Sequence, residues 1–169
     1  PVVQGYNLKL DRELTTEEVW HSIDDCKKYD EIVFCGYGEP TLRLDTIKEV
    51  SKKIKEAGGK VRLNTNGHGN VINKRNILPE LKGLVDSISI SLNADTAEAY
   101  DRIVRPLPGL RNEIYDKVKE FIEEAKKYIP EVQATIVTHQ EGVDEEKCEE
   151  ISKNDFDVKY RPRRYNITG

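Results

Sequence analysis

Residues 31–67 read EIVFCGYGEPTLRLDTIKEVSKKIKEAGGKVRLNTNG, and the order of patterns inside this stretch decides the fold. EIVFCG, at 31–36, is a short apolar run ending in glycine, which predicts a strand buried on both faces of a parallel sheet. After the loop GYGEPT, apolar residues recur at Ile47, Val50, Ile54 and Ala57. That three- and four-residue spacing predicts a helix over about 44–57, ended by Gly58 and Gly59. KVRLNTNG, at 60–67, is a second strand. A strand, a helix and a strand in succession call for parallel pairing with a right-handed crossover, because the helix must pack back onto the sheet both strands share.

The same alternation continues outward. Upstream, Thr15 or Thr16 can cap a helix through about residue 29, since a threonine oxygen satisfies first-turn amides and Glu17 and Glu18 suit the positive end. Downstream, a short helix near 76–84 precedes the strand SISISLN at 87–93. A helix begins near Thr96 and breaks around 106–108, and a long one covers about 112–128, stopped by Pro130. VQATIVTHQ at 132–140, a helix over 144–153 and a strand at 157–166 complete the series. Five strands separated by helices, with no repeat or linker, predict a single α/β domain over 1–169. A barrel or partial barrel and an open doubly wound sheet both satisfy this order, and periodicity does not choose between them.

The 169 residues are 37% hydrophobic and 34% charged, with a formal charge of −4. That balance is globular, and no run reaches the roughly 18 apolar residues of a membrane helix. PVVQGYNLKL has neither the basic start nor the apolar stretch of a signal peptide, so a soluble, cytoplasmic protein without membrane attachment is expected. The net acidity speaks against dedicated nucleic-acid binding. One basic run, KYRPRRYN, holds Lys159, Arg161, Arg163 and Arg164; it suits either a solvated strand end or a phosphate or carboxylate. Cys26, Cys35 and Cys148 are too far apart for a C-x-x-C pattern. Cys26 in a helix and Cys35 at a strand end are expected as small core residues. The sequence starts at Pro1 and not at Met, so an upstream segment is expected.

In either architecture ligands bind at the C-terminal ends of the strands, and there the polar residues collect. The strand ends read Gly36-Tyr37-Gly38-Glu39-Pro40-Thr41, then Asn64-Thr65-Asn66-Gly67-His68-Gly69-Asn70, then Ser89-Ile90-Ser91-Leu92-Asn93, then Thr138-His139-Gln140-Glu141. This predicts a pocket. Two glycines let backbone approach a ligand closely, and Glu39 offers a carboxylate to a ligand ammonium group or to backbone amides; a plain turn with a capping glutamate is the simpler alternative. A dinucleotide fingerprint would need glycine at Thr41, and no phosphate-cradling G-x-x-x-x-G-K-[ST] run exists. His21 is expected on the surface, and His68 and His139 suit either a substrate contact or a loop hydrogen bond. No carboxylate pair or Ser/His/Asp set makes a hydrolytic site, and no strand-end lysine suits a Schiff base.

VFCGYGEPTLR, VRLNTNGHGN and ISISLNADTAEAYDRIVRP, taken in order with the closing RPRRYNITG, resemble the radical S-adenosylmethionine (SAM) superfamily, and in particular its TatD-associated radical SAM proteins. GYGEP stands where that superfamily has Gly-Gly-Glu, with Tyr37 in place of the second glycine. The resemblance implies a parallel-stranded partial (β/α)6 TIM-like barrel, here without its first strand. It implies SAM and a [4Fe-4S] cluster as cofactors, an electron donor as partner, a 5′-deoxyadenosyl radical as the reactive species and a substrate, small or macromolecular, left open. Gly36, Tyr37, Gly38 and Glu39 would receive the methionine ammonium group. Asn64 and Asn66 would line the same cavity, Ser91 and Asn93 would face the ribose or carboxylate, and Arg105 would pair with the carboxylate or lie on the surface. The C-x3-C-x2-C thiolates of the family are absent from these residues, so no metal ligand is assigned and the cluster ligands are expected upstream of Pro1. The alternative is a non-catalytic binding or scaffold domain on the same fold.

Overall fold

A computed structural model of the chain describes residues 2–3, 6–7, 12–36, 38–106, 108–111 and 113–164. A short antiparallel pair, β1 (Val2–Val3) and β2 (Tyr6–Asn7), precedes the main body. Five further strands, β3 (Ile32–Phe34), β4 (Val61–Thr65), β5 (Ser87–Ser91), β6 (Glu131–Val137) and β7 (Lys159–Arg163), lie side by side in chain order, every pair parallel. Between them run α2 (Leu44–Glu56), α3 (Gly69–Asn73), α4 (Leu78–Leu81), α5 (Ala97–Val104), α6 (Ile114–Ala125) and α7 (Glu145–Glu150), with α1 (Thr16–His21) ahead of β3. The expected order of strands and crossovers is therefore present, and the sheet is consistent with a partial TIM-like barrel.

The two faces of the sheet differ sharply. Val61, Leu63, Ile88, Ile90, Ala134 and Ile136 are fully buried and join one apolar cluster with Ile47, Val50 and Ile54 of α2 and Val118, Phe121 and Ile122 of α6. Each such aliphatic side chain contributes about 1.5–3 kcal/mol by leaving water. The opposite face carries Arg62 and Asn64, Ser87, Ser89 and Ser91, Gln133 and Thr135, then Arg161 and Arg163, because side chains alternate along a strand. The register aligns Asn64 with Ser89, Ser89 with Gln133, Ser91 with Thr135 and Thr135 with Arg161. The strands thus read as apolar toward the helices and polar on the other side.

Several expected details differ. The run at 31–36 is not buried on both faces: Val33 is 39% exposed and Cys35 is exposed. Val33 shares the polar face with Arg62, and β3 is an edge of the five-stranded sheet. The first helix stops at His21 instead of residue 29, because Ser22 and Asp25 hydrogen-bond backbone locally and start a 3-10 turn at Cys26–Lys28. Cys26 is buried as expected, but in that turn. The helix read at 76–84 shrinks to α4, and α3 forms where a loop was expected. Asn73 Nδ2 donates to the Gly69 and Thr41 carbonyls and Asn70 Oδ1 accepts from Ile77 N, so tertiary hydrogen bonds override weak helix formers. The last helix ends in a π turn, Ile151–Asp155.

Candidate functional site

Glu39 is the junction of the site. Its carboxylate is 7% exposed and accepts four hydrogen bonds. Oε1 takes Thr41 N at 3.1 Å, Thr41 Oγ1 at 2.7 Å and Thr65 Oγ1 at 2.7 Å, and Oε2 takes Asn66 N at 2.8 Å. Locally this is the N-cap of a 3-10 turn, Pro40–Arg43, with proline where no amide hydrogen is needed. The bonds to Thr65 and Asn66 go further and tie the loop after β3 to the end of β4. The glutamate thus caps the turn, the simpler of its readings, and also accepts from a backbone amide and a hydroxyl of the next strand end. Beside it, a Cβ added at Gly36 or Gly38 would meet nothing within 4 Å, so the backbone faces open space. Tyr37 lies outside the described residues.

The loop after β4 is held by its own side chains. Thr65 Oγ1 accepts from Gly67 N at 3.0 Å, and Asn66 Oδ1 accepts from His68 N at 2.9 Å. His68 Nε2 lies 2.8 Å from the hydroxyl of Tyr100, which is fully buried on α5. Tyr100 packs at 5.4 Å on Tyr115, whose hydroxyl donates to the Ala94 carbonyl at 2.9 Å. Of the two readings of His68, the structure shows the loop hydrogen bond. Burial pushes the Tyr100 hydroxyl well above its ordinary value, so it stays protonated.

Burial also holds the His68 imidazole below its ordinary 6.5, against the opposing pull of Glu39. As pH falls, the unfolded chain binds this proton first. The contribution of neutral His68 to stability is complete above about 6.5 and is lost as pH falls through the depressed folded value. We expect His68→Gln to flatten the fall in urea midpoint of the wild type below pH ~6.5; parallel slopes for the two proteins would refute this assignment.

At the end of β5, Asn93 takes a left-handed backbone, φ 59°, and its amide donates to the Thr135 carbonyl at 3.2 Å. Its Oδ1 is buried with no hydrogen-bond partner among the described residues, and so is Oδ1 of Asn64. An unpaired buried acceptor costs about 1–3 kcal/mol, and the hydroxyls of Ser51, Ser87 and Thr138 are likewise buried without a partner among the described residues. Asn64 and Ser91 line one small cleft with Ser89, Thr135, Arg161 and Arg163. Gln133 donates to Ser89 Oγ on the same face.

Arg105 falls elsewhere: it is the left-handed C-cap of α5 and lines a separate depression with Glu98, Asp101, Arg102 and Arg111. His139 is a turn residue whose side chain is 83% exposed and whose amide bonds Glu145 Oε1 at 2.7 Å. His21 is exposed on α1 as expected. The sequence placed Ser89 among the strand ends and read Arg161 and Arg163 as a solvated strand end or an anion contact, but it singled out neither Thr135 nor the two arginines for this cleft. The signal was the two-residue spacing of Lys159, Arg161 and Arg163, which puts all three on one face.

Among the described residues no three His, Cys, Asp or Glu side chains converge to hold a metal ion. Cys26 and Cys148 are buried and Cys35 is exposed. The residues present therefore do not make the thiolate set that an iron–sulfur cluster needs. What they offer are two amide oxygens without a partner among the described residues and an open glycine backbone.

A parallel α/β sheet with polar groups at its strand ends belongs to the class of folds that take ligands at that edge. Within that class the sequence profile of the Radical SAM superfamily matches residues 4–153, and the chain belongs to that superfamily. It is similar to a protein of Methanocaldococcus jannaschii provisionally named a glycyl-radical enzyme activating enzyme, with 32% identity over 149 residues. The match covers 88% of this chain and 59% of that relative, so the chain spans about three-fifths of the relative's length.

Proposed function

We propose that the protein is a radical SAM enzyme that holds SAM across the C-terminal ends of β3, β4 and β5. The observation that carries this is the pair of buried, unpartnered acceptors, Asn64 Oδ1 and Asn93 Oδ1, beside a carboxylate with one oxygen still able to accept. SAM presents the matching donors: an ammonium group and two ribose hydroxyls. In this arrangement the Gly36–Gly38 backbone, with Tyr37 between, and Glu39 receive the ammonium group. Asn66 and Asn64 line the methionine side, and Ser91 and Asn93 take the ribose or carboxylate. Arg105 is left out because it lines the other depression.

With a [4Fe-4S] cluster held by thiolates outside this sequence, bound SAM would supply methionine and a 5′-deoxyadenosyl radical on receiving one electron; that chemistry would belong to the cofactors. This chain positions the reactant: Glu39 fixes the loop after β3 against β4, and Asn93 anchors the end of β5 to β6. The reading requires cluster thiolates from residues outside this sequence, which the resemblance sets upstream of Pro1, and an electron donor. The name of the M. jannaschii relative favours a polypeptide substrate, and the motif runs favour the TatD-associated branch.

The test uses protein that carries the cysteine segment, reconstituted without oxygen. SAM is expected to be cleaved to methionine and 5′-deoxyadenosine under a strong reductant, and Asn93→Ala is expected to weaken SAM binding by about tenfold, the equivalent of one lost hydrogen bond of about 1.4 kcal/mol. A reconstituted, cluster-loaded protein that leaves SAM intact would sink the proposal.

A further inference from the structure

Two tyrosines carry hydroxyls from the helices into the strand-end loops. Tyr100 of α5 is fully buried and Tyr115 of α6 is 4% exposed, and their rings pack 5.4 Å apart within the apolar cluster. Phenylalanine would fill the same space, as Phe121 does further along α6, so what tyrosine adds is a polar tip that needs a partner. Tyr100 meets Nε2 of His68 at 2.8 Å, and Tyr115 donates to the Ala94 carbonyl at 2.9 Å, partners 32 and 21 residues distant. Burial raises both hydroxyls well above their ordinary value, so each keeps its proton.

Both partners belong to the loops that carry the proposed ligand contacts. His68 follows the end of β4; its amide donates to Asn66 Oδ1 at 2.9 Å, and Asn66 N donates to Glu39 Oε2 at 2.8 Å. Tyr100 is thereby joined through His68 to Asn66 and to the loop after β3. Ala94 is fully buried and follows Asn93, whose φ is 59°. A left-handed residue with a side chain persists where its surroundings fix the backbone. On one side Leu92 N and Asn93 N both donate to the Thr135 carbonyl, at 2.9 and 3.2 Å. On the other, Tyr115 holds the Ala94 carbonyl.

Because the two rings pack on each other, a shift of either loop must move its neighbour or open a gap in a close-packed cluster. We infer that Tyr100 and Tyr115 are positioning residues whose hydroxyls set the Asn66 side of the strand-end site against the Asn93 side. Each acts through another residue, Tyr100 through His68 and Tyr115 through Ala94. Both lie on helices that follow β5, so one stretch of chain governs the loops at the ends of two strands. That SAM is the ligand so aligned rests on the proposed function; the two ties rest on protein contacts alone.

The experiment compares Tyr100→Phe and Tyr115→Phe with wild type in cysteine-complete, cluster-loaded protein. Hydrogen–deuterium exchange is read without SAM, and 5′-deoxyadenosine release with it. Without SAM, exchange is expected to quicken about fivefold over residues 64–70 in Tyr100→Phe and over 91–95 in Tyr115→Phe, as each loop loses one tie. With SAM, each variant is expected to raise KM about fivefold while kcat stays within about twofold, because alignment changes and the cofactor chemistry does not. His68→Leu is expected to match Tyr100→Phe, and the pair combined to lose no more than either alone, since both remove one bond. His68→Gln, whose amide can meet the same hydroxyl, is expected to recover most of the loss. Lowered melting temperatures with KM unchanged in both tyrosine variants would make the hydroxyls structural only and overturn the positioning role. So would losses that add in the His68→Leu/Tyr100→Phe protein. Unchanged exchange in both loops overturns the ties themselves. A wild type that leaves SAM intact would instead refute the proposed function, and the exchange rates would still decide the ties.

Discussion

Glu39→Ala is expected to lower the unfolding free energy by about 4 kcal/mol, the largest effect of any single polar substitution in the site. The carboxylate accepts from two backbone amides, Thr41 N and Asn66 N, and from two hydroxyls, Thr41 Oγ1 and Thr65 Oγ1. Alanine leaves all four donors facing a small void. The hydroxyls can turn toward other acceptors, but the amides cannot, and each buried, unpaired amide costs about 2 kcal/mol. Glu39→Gln keeps the shape and the three bonds to Oε1 but turns its amide NH2 on the one donor at the Oε2 side, Asn66 N, so about half the loss is expected. Urea unfolding of the three proteins checks the order. If Glu39 served only a ligand, the alanine variant would unfold within 1 kcal/mol of wild type while losing SAM affinity, and that outcome would refute the role as a junction.

Gly67→Ala is expected to cost about 3 kcal/mol and to disturb the loop that holds His68. Gly67 has φ +83°, a left-handed conformation that costs a residue with a Cβ about 1–2 kcal/mol. The added carbon would also lie 3.0 Å from Val118 Cγ1 and 3.2 Å from Ile90 Cγ2, inside the core formed by α6 and β5. Overpacking at such a site adds about 1–3 kcal/mol. Because two mechanisms contribute, they can be separated. Gly67→Ala combined with Val118→Ala removes the Val118 contacts and leaves the Ile90 contact and the backbone strain, so the double variant is expected to lose less than the sum of the two single losses. Strict additivity in thermal melts would show that Gly67 is required for its backbone alone.

Much of this was legible in the residues. The order of strands and helices follows from apolar runs and three- and four-residue spacing, and glycine and proline punctuate it. The gathering of Gly36, Gly38, Glu39, Asn66 and Asn93 at strand ends follows from parallel pairing, which sends every strand C-terminus to the same side. Other features were not legible. SISIS, VRLNT and VQATIV alternate, yet EIVFCG does not, and a run read as buried on both faces sits at an edge with Val33 and Cys35 exposed. The α3 turn, rich in asparagine and glycine, contradicts local propensity and forms because Asn70 and Asn73 bond across to Ile77 and Thr41. Arg105 sits one helix away from the strand-end cluster because the left-handed cap of α5 turns the chain aside.

The sequence by itself determined that this is a parallel α/β chain with polar groups at one end of its sheet, because side-chain periodicity and crossover handedness act over neighbouring residues. Only the tertiary structure decided what those groups do. Glu39 meets Asn66 27 residues away, Asn64 and Asn93 keep oxygens unpaired among the described residues, and Arg161 and Arg163 arrive in one cleft with Ser89 and Thr135. Hydrogen-bond satisfaction and charge compensation are properties of neighbours in space, and nothing local in the chain encodes which donors and acceptors will be left over.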